Sequence, residues 1–390
     1  MSLESFLTSG TSPGESKSCR VALLGFGRVG SAVARRLTSA NHSSNLRLTH
    51  ILDRRADQKR SAHPDLVWTN GFHDVLASDV DVVVEAVGGT EPATDWIRAA
   101  LMAGKSVVTA NKQVIARDGP ALLTLAARQG RQLRYEAAVG GAMPIVRAIG
   151  DGLAGDHLTR IVAIVNGTCN AVLSRMEATG CSLVDAVADA RSHGWAEADP
   201  SDDLDGIDAR AKLAILCALA FRLRINPTQI ETRSIAEIRP QDFRNAARNG
   251  ATIRQLAWAE HHSDQSELTV WVAPRTVPRS SIFGRTVGPQ NAAIVSGVYA
   301  GDIGIFGAGA GGEATAVAVV GDLLAVARDR AAVIPAAALS TPRLIKGLSG
   351  LPAGQRSAGF PPSLEATADH RSLGEGGQPS GPRTDFVEVV

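Results

Sequence analysis

The part of the chain whose residue types most clearly suggest chemistry is an acidic run that ends in a lysine, from Gly194 to Lys212. Pro200 and Gly206 punctuate the run, and the apolar segment AKLAILCALAF follows, so an acidic loop leads into a buried helix. Clustered carboxylates suit a ligand ammonium group, and a lysine suits a ligand carboxylate or a proton transfer. The run therefore indicates one wall of an active site. Its acids are Glu197, Asp199, Asp202, Asp203, Asp205 and Asp208.

Asp208 and Lys212 are four positions apart, so they share one face of the predicted helix. On an exposed helix such a pair is a modest salt bridge. Here the loop before it and the apolar pattern after it predict a location near a domain junction. A lysine works as an acid near neutral pH only where burial or a nearby cation lowers its pKa. Lys112 could supply that cation, whereas the acids of the loop would oppose the shift, and the sequence leaves the balance open.

A glycine-rich turn near the start of the chain predicts a dinucleotide site. It follows the strand-like segment VALL and precedes a helical segment. Gly25 permits a tight turn, Gly27 lets the backbone approach a pyrophosphate, and Gly30 lets helix and strand pack closely. The free N–H groups at the start of the helix suit phosphate. The residues of the motif are Gly25, Phe26, Gly27, Arg28, Val29 and Gly30.

Asp53 ends the second predicted strand, where an acid can accept hydrogen bonds from the ribose hydroxyls of NAD. Arg54 and Arg55 follow it directly, and an arginine there could hold the 2′-phosphate of NADP. The motif therefore predicts a nicotinamide dinucleotide and leaves the choice between NADP and NAD open.

Strands and helices alternate from Arg20 to about residue 148, which predicts an α/β fold with a Rossmann-type parallel sheet. Later segments such as TRIVAIVN, ELTVWVAP, AAIVSGVYAG and DIGIFGAG predict an α+β domain with a mostly antiparallel sheet. We expect a disordered N-terminus over 1–18, a dinucleotide-binding domain over 19–148 and a substrate-binding, catalytic and dimerisation domain over 149–312. A helix over 313–332 is expected to return to the nucleotide domain, before a mostly disordered tail over 333–390.

Composition restricts the class of protein. The 390 residues carry a net charge of +1, which argues against a nucleic-acid partner. No apolar run approaches the ~20 residues that span a bilayer, and the N-terminus has no basic region followed by an apolar core. The 4 cysteines lack CxxC spacing, which favours a reducing cytoplasm over a disulfide framework.

Five segments occur in an order that closely resembles homoserine dehydrogenase: GFGRVG, EAVGGTEPATDWIRAALMAGKSVVTANKQVIA, YEAAVGGAMPIVRAI, IVNGTCNAVLSRM and AEADPSDDLDGIDARAK. The resemblance extends over roughly residues 20 to 325. It implies reversible NAD(P)-dependent reduction of L-aspartate 4-semialdehyde to L-homoserine, a step of threonine, methionine and isoleucine biosynthesis. It also implies a homodimer formed through the sheet of the second domain.

The resemblance assigns roles within the acidic run. Lys212 corresponds to the catalytic lysine of the family, and Asp208 to the substrate-binding aspartate beside it. Glu197 corresponds to the carboxylate that holds the substrate amino group, and Asp203 to a further acid of the same wall. Lys112 corresponds to a lysine where nicotinamide and substrate meet.

The resemblance also implies residues for the cofactor and for a cation. Thr90 and Ala110 match positions that contact the cofactor, while Gly194 and Gly311 match glycines that close over it. A monovalent cation, usually Na⁺, is implied at the side chain of one residue and the carbonyls of three others. These four are Glu136, Val139, Gly141 and Met143.

Two alternative functions remain open from the residues. Cys169 could act as the nucleophile of another semialdehyde dehydrogenase, but such a thiol needs a neighbouring base and none is adjacent in sequence. His193 is more typical of a helix C-terminus than of that base. A catalytically silent nucleotide-binding sensor would have no chemical need for Lys212.

The C-terminal segment departs from the family pattern. Many relatives carry a small βαββαβ regulatory domain that binds threonine. The segment after Arg330 is short and rich in glycine and proline, so we expect it to form no such domain. The sequence therefore predicts an enzyme that threonine does not inhibit through that route.

Overall fold

A computed structural model describes residues 18–39, 45–262, 267–329 and 339–345. Nearly all of the N-terminus that is predicted to be disordered lies outside these ranges, and so does most of the predicted tail. The described part of that tail includes a short strand, Arg343–Ile345. None of the helices in the described ranges is long and apolar enough to cross a bilayer.

The first half of the chain builds a parallel sheet of six strands in the order β3-β2-β1-β4-β5-β6. Apolar β-branched runs such as Val82–Val84 form its strands because both faces of such a sheet are buried. The strands are β1 Cys19–Leu24, β2 Leu46–Leu52, β3 Val67–Thr69, β4 Val82–Glu85, β5 Ser106–Thr109 and β6 Leu133–Arg134.

Helices follow most strands of this sheet. They are α1 Arg28–Thr38, α2 Ala56–Lys59, α3 Phe72–Ala77, α4 Ala93–Met102 and α5 Lys112–Arg128. The sequence predicted that a strand would continue through QLRYEAAV. Instead β6 ends at Arg134, because Glu136 begins a 3₁₀ turn and its carboxylate accepts hydrogen bonds from the backbone amides of Val146 and Arg147.

The second half builds a mixed, mostly antiparallel sheet of seven strands along the path β12-β11-β7-β9-β10-β13, with β8 beside β10. Among the described strands of this sheet, only the short β8 and β13 run parallel to their partner, β10. The predicted fold class is therefore confirmed. The strands are β7 Leu158–Ile164, β8 Glu231–Thr232, β9 Ala251–His262, β10 Glu267–Pro278, β11 Gln290–Gly297, β12 Gly301–Ala308 and β13 Arg343–Ile345.

Helices pack against both faces of this sheet. They are α6 Ile145–Arg147, α7 Gly167–Thr179, α8 Leu183–Ser192, α9 Ser201–Leu204, α10 Ile207–Phe221, α11 Pro240–Ala247 and α12 Ile282–Arg285. The largest, α10, buries Leu213, Leu216 and Cys217 in the same core cluster as strand residues of β7, β9 and β10. Because so much of α10 is buried, the helix is held rigidly in place, and the residues of its first turn are held with it.

The last long helix, α13 Gly312–Arg328, packs back onto the parallel sheet. Ala316, Val319 and Leu323 share one buried cluster with residues of β1 and α1. The chain thus leaves the parallel sheet, forms the second sheet, and returns. The proposed domain limits at residues 148 and 312 stay predictions.

Candidate active site

The glycine turn lies between β1 and α1, and its three glycines have different surroundings. Gly25 has a φ of +92°, and a Cβ there would lie 2.7 Å from the carbonyl oxygen of Ala86. A Cβ on Gly30 would overlap the carbonyl of Gly25. Gly27 differs, because a Cβ there would meet nothing within 4 Å. Gly25 and Gly30 are therefore required by the fold, whereas the space beside Gly27 is open to a ligand.

Gly27→Val is expected to leave the thermal unfolding midpoint unchanged and to weaken dinucleotide binding by about 100-fold or more, because the new side chain fills the space for the pyrophosphate. Titration calorimetry measures the binding. Gly155→Val is the matched control, since a Cβ at Gly155 also meets nothing within 4 Å. Unchanged affinity in Gly27→Val would place the phosphates elsewhere.

Asp53 lies buried at the end of β2, and its carboxylate accepts three hydrogen bonds. Its Oδ2 accepts from the Phe26 amide at 2.9 Å and from Lys59 Nζ at 2.7 Å, and its Oδ1 accepts from the Arg55 amide at 2.9 Å. Burial acts to raise the pKa of Asp53, but Lys59 and the two amides outweigh it and lower that pKa. Arg54 is exposed beside this cluster. The cluster ties the glycine turn to β2 and places cations where the adenosine ribose is expected.

The ends of β4 and β5 lie level with the end of β1, because Leu24 pairs with Glu85 and Glu85 with Thr109. The buried Glu85 carboxylate accepts from the Val87 amide at 2.8 Å and orders the loop that follows. Thr90 on that loop and Ala110 after β5 are both half-buried. They lie at the carboxyl edge of the sheet, where ligands of this fold bind.

Gly194 and the first residues of α13 meet the glycine turn at Arg28. Gly194 has a φ of +71°, and a Cβ there would lie 2.9 Å from Arg28 Nη2. Gly311 has a φ of +109°, and a Cβ on the next residue, Gly312, would lie 2.6 Å from the carbonyl oxygen of Arg28. The structure therefore brings both predicted closing glycines to the nucleotide loop.

Asp208 is the centre of the candidate site. It lies in the first turn of α10, is only 6% exposed, and its Oδ2 is 2.7 Å from Lys212 Nζ. Its Oδ1 forms an ion pair with Lys112, the first residue of α5 in the nucleotide half. Lys212 Nζ also donates to the carbonyl of Val165 at 2.8 Å. One buried carboxylate therefore links a lysine of the parallel-sheet half to a lysine of the second half.

The charges in this cluster favour ionised Asp208 and Lys112. Burial opposes the charge on Asp208, but Lys212 and Lys112 outweigh it and hold the pKa of Asp208 well below its usual range. Burial also opposes the charge on Lys112, but Asp208, Asp203 and Glu197 together raise the pKa of Lys112. Asp208 lies between the two lysines, so Lys112, the cation that the sequence suggested for the vicinity of Lys212, is itself paired with the same carboxylate.

Asp203 and Glu197 border the same space at different depths. Asp203 on α9 accepts from Asn166 Nδ2 at 2.7 Å, and burial is the main cause that raises the pKa of Asp203. Glu197 is exposed, and Arg191 holds its loop by donating to the carbonyls of Glu197 at 3.2 Å and Ala198 at 2.6 Å. Glu197 can therefore contact a ligand that enters from solvent. Three further acids lie exposed around the loop: Asp199, Asp202 and Asp205.

Cys169 lies fully buried in α7, and its Sγ donates to the carbonyl of Asp203 at 3.0 Å. Burial, then the charges of Asp203 and Asp208, raises the pKa of the Cys169 thiol well above its usual range. His193 caps α8 and stacks on Trp195 with ring centroids 4.6 Å apart. A buried, protonated thiol without a histidine partner does not suit a nucleophile.

Cys169→Ser is expected to keep the L-homoserine oxidation that the resemblance implies within about threefold of wild type, because a hydroxyl can make the same hydrogen bond to Asp203. Steady-state kinetics checks this, and iodoacetamide should leave the wild-type rate unchanged under native conditions. Loss of activity in Cys169→Ser would favour the thiol mechanism instead.

Glu136 lies 4% exposed beside Asp322, and its two oxygens accept from the Val146 and Arg147 amides at 2.9 and 2.8 Å. Burial, then the charge of Asp322, raises the pKa of Glu136 to about 7. A cation here would offset buried negative charge, so the chemistry of the site suits one. The carbonyls predicted to complete the set belong to the turn that follows, at Val139, Gly141 and Met143.

Comparison with known proteins gives the family of the chain. Residues 144–324 match the family model described as homoserine dehydrogenase, and residues 25–136 match the NAD-binding domain of homoserine dehydrogenase. A homoserine dehydrogenase of Mycobacterium tuberculosis is 40% identical over 327 residues, which cover 82% of this chain and 74% of that protein. The chain belongs to the homoserine dehydrogenase family. It is therefore an NAD(P)-dependent oxidoreductase, and the resemblance stated from the motifs is confirmed.

Solved structures of the family share the fold. A homoserine dehydrogenase from Thiobacillus denitrificans superposes with a TM-score of 0.79 at 33% identity, covering 84% of this chain and 79% of that one. A hyperthermophilic archaeal homoserine dehydrogenase mutant in complex with NADPH gives a TM-score of 0.67 at 27% identity, covering 81% of this chain and 99% of that one.

Three residues of the site were missed by sequence reasoning. Lys59 binds Asp53, Arg191 holds the Glu197 loop, and Asn166 bridges Asp203 and Asp208. Only Asn166 had a local signal, because an asparagine between a strand and a helix is typical of an N-cap. The other two act through contacts that the sequence does not indicate.

Proposed function

We propose that this member of the family interconverts L-homoserine and L-aspartate 4-semialdehyde with Lys212 as the acid–base group. The observation that supports the proposal most is Asp208, buried between Lys212 and Lys112 where the two halves of the chain meet. A cofactor bound at the glycine turn of one half and a substrate bound on α10 of the other would meet at this junction.

Substrate binding in this proposal uses both charges of an amino acid. The exposed Glu197 carboxylate and the Asp203 carboxyl receive the α-ammonium group, and Lys112 attracts the α-carboxylate. Asp208 fixes the ammonium groups of Lys112 and Lys212, so both lysines are held before substrate arrives. Arg191 contributes by holding the Glu197 loop.

Proton transfer is assigned to Lys212. During reduction, its ammonium group donates a proton to the aldehyde oxygen as the carbonyl carbon accepts hydride, and an alcohol results. In the oxidative direction, the neutral amine accepts the hydroxyl proton while hydride leaves the same carbon. The nicotinamide cofactor, when bound, supplies or accepts that hydride. The Val165 carbonyl and Asp208 orient Lys212 for this exchange.

Cofactor binding is assigned to the glycine turn and its neighbours, with NADP preferred over NAD. Asp53 is already engaged by Lys59 and two backbone amides, so it is a poor free acceptor for a ribose hydroxyl. Arg54 and Lys59 lie beside it and would attract a 2′-phosphate. The rest of the cofactor site would be lined by Thr90, Ala110, Gly194 and Gly311.

The experiment that tests the function is an assay of L-homoserine oxidation with NAD and NADP compared side by side. We expect turnover with both and a higher kcat/KM with NADP. Higher kcat/KM with NAD would overturn the preference alone, whereas absence of turnover with either would overturn the function and favour a silent nucleotide-binding protein.

A monovalent cation is proposed at Glu136, with the carbonyls of Val139, Gly141 and Met143 as its other ligands. Its support is the buried charge of Glu136 beside Asp322. Among the described residues, no three His, Cys, Asp or Glu side chains gather to hold a metal, so carbonyls must supply most ligands. Replacing Na⁺ with tetramethylammonium at constant ionic strength is expected to lower the unfolding midpoint.

A homodimer is proposed through the second sheet. β12 is its outer strand along the path of the sheet, and Phe306 on it is 71% exposed. Tyr299, in the turn before β12, is 81% exposed. An edge strand with exposed apolar side chains suits pairing with a second copy of the chain.

Phe306→Glu is expected to convert the dimer to a monomer, because it places a charge on the proposed interface. Light scattering after size-exclusion chromatography measures the mass. Met102→Glu is the control, since Met102 is 63% exposed on the parallel-sheet half. A wild-type protein that is already monomeric would refute the proposal.

A cytoplasmic location is proposed because Cys169, Cys181 and Cys217 carry free thiols. The substrate implies a place in threonine, methionine and isoleucine biosynthesis.

A further inference from the structure

Asn166 connects the two carboxyl groups of the candidate site to the framework of the second half. It follows β7, is 4% exposed, and is the N-cap of α7. Its Nδ2 donates to Asp203 Oδ1 at 2.7 Å and to Asp208 Oδ2 at 2.8 Å. Its Oδ1 accepts from the Cys169 amide at 2.7 Å. The Asn166 side chain thus donates both of its amide hydrogens to carboxyl groups, and its amide oxygen caps α7.

The orientation of this amide is determined by its neighbours. A flipped side chain would point its oxygen at two carboxyl groups and its NH₂ at the Cys169 amide, which would lose all three hydrogen bonds. Because the oxygen is held by the first turn of α7, the NH₂ group is held toward Asp203 and Asp208. Two acids that share one donor can lie side by side although they repel each other.

Charged groups face this amide from several elements. Asp203 comes from α9, Asp208 and Lys212 from α10, and Lys112 from α5. Glu197 contributes charge from the loop before α9, and the Cys169 thiol lies on the same helix as the amide. The Asp208 oxygen that Asn166 binds is the one that binds Lys212.

We propose that Asn166 is a positioning residue for the reaction: it orients the Asp208 carboxylate, and through it Lys212, toward the substrate. The inference rests on the proposed function. Asn166 touches neither substrate nor cofactor in this account. Its neighbour Val165 supplies the carbonyl that binds Lys212. The segment after β7 therefore orients the lysine in two ways, directly through Val165 and indirectly through Asn166 and Asp208.

The decisive variant is Asn166→Asp, since aspartate caps helices about as well as asparagine and has the same shape. It replaces the NH₂ donor by an oxygen that donates only while protonated. We expect kcat/KM for L-homoserine to fall about 100-fold at pH 8 with most of the loss in kcat. The ratio of variant to wild-type kcat/KM should fall further as the pH rises from 6 to 9, because the extra proton is lost.

Asn166→Ser serves as the second variant. Serine is a good N-cap but its short hydroxyl cannot bridge both acids. We expect it to lower kcat by about tenfold with a ratio to wild type that does not vary with pH. Ser182→Ala is the control, because Ser182 caps the neighbouring α8 and is not placed in the site. It should lower the unfolding midpoint and leave kcat/KM unchanged.

The outcomes separate this inference from the proposed function. Wild type without L-homoserine oxidation overturns the function, and the inference with it. An active wild type with Asn166→Asp at a constant, near-unity ratio across the pH range overturns the inference alone. Should Asn166→Asp fail to fold, Asn166→Ser decides: a lower kcat with an intact fold supports the inference, and a wild-type kcat overturns it.

Discussion

Lys212→Ala is expected to lower kcat for L-homoserine oxidation by about 1000-fold while the affinity for the dinucleotide stays within threefold of wild type. The amine that accepts the hydroxyl proton is removed, whereas the glycine turn lies on the other half of the chain. Stopped-flow absorbance at 340 nm measures the chemical step, and titration calorimetry measures cofactor binding. Lys212→Arg should be nearly as slow, because a guanidinium does not lose its proton at working pH.

Arg210→Ala is the matched control for this experiment. Arg210 lies two positions before Lys212, so its side chain points about 200° around α10 from the lysine. The variant removes a cation from the same helix turn and should keep wild-type kcat. Turnover of Lys212→Ala within tenfold of wild type would assign the proton transfer to another group.

Asp208→Asn is expected to lower kcat/KM by about 100-fold and the free energy of unfolding by about 3 kcal/mol at pH 7. Both lysines lose their shared carboxylate, and Lys212 is largely buried. Denaturant unfolding and steady-state kinetics measure the two effects. Asp202→Asn, at an exposed acid on the neighbouring α9, should change neither quantity appreciably.

The stability difference between wild type and Asp208→Asn should depend on pH with a defined sign. The folded protein holds the pKa of Asp208 below its usual value. Its contribution to stability is therefore complete above the unfolded pKa of ~3.9 and is lost as the pH falls through the folded value. The difference should stay constant above about pH 5 and narrow below about pH 4. A difference that grows on acidification would contradict the charge assignment.

Local patterns explain why much of the fold followed from the sequence. The glycine turn, the alternation of strands with helices and the i, i+4 spacing of Asp208 and Lys212 are all properties of short segments. β9 was not predicted although it pairs with both β7 and β10. Its residues are buried on both faces, so the alternation that identifies a half-exposed strand is weak.

The sequence by itself determined the fold class, the family and the residue types of the active site, because motif spacing and apolar periodicity are local. Only the tertiary structure decided which groups meet. Lys112 reaches Asp208 from another half of the chain, Lys59 neutralises Asp53, and Asn166 joins Asp208 to Asp203. Those contacts form because the packing of helices against sheets brings together residues that are far apart in the sequence. Burial at the same points then sets which acids stay ionised, and no local pattern carries that information.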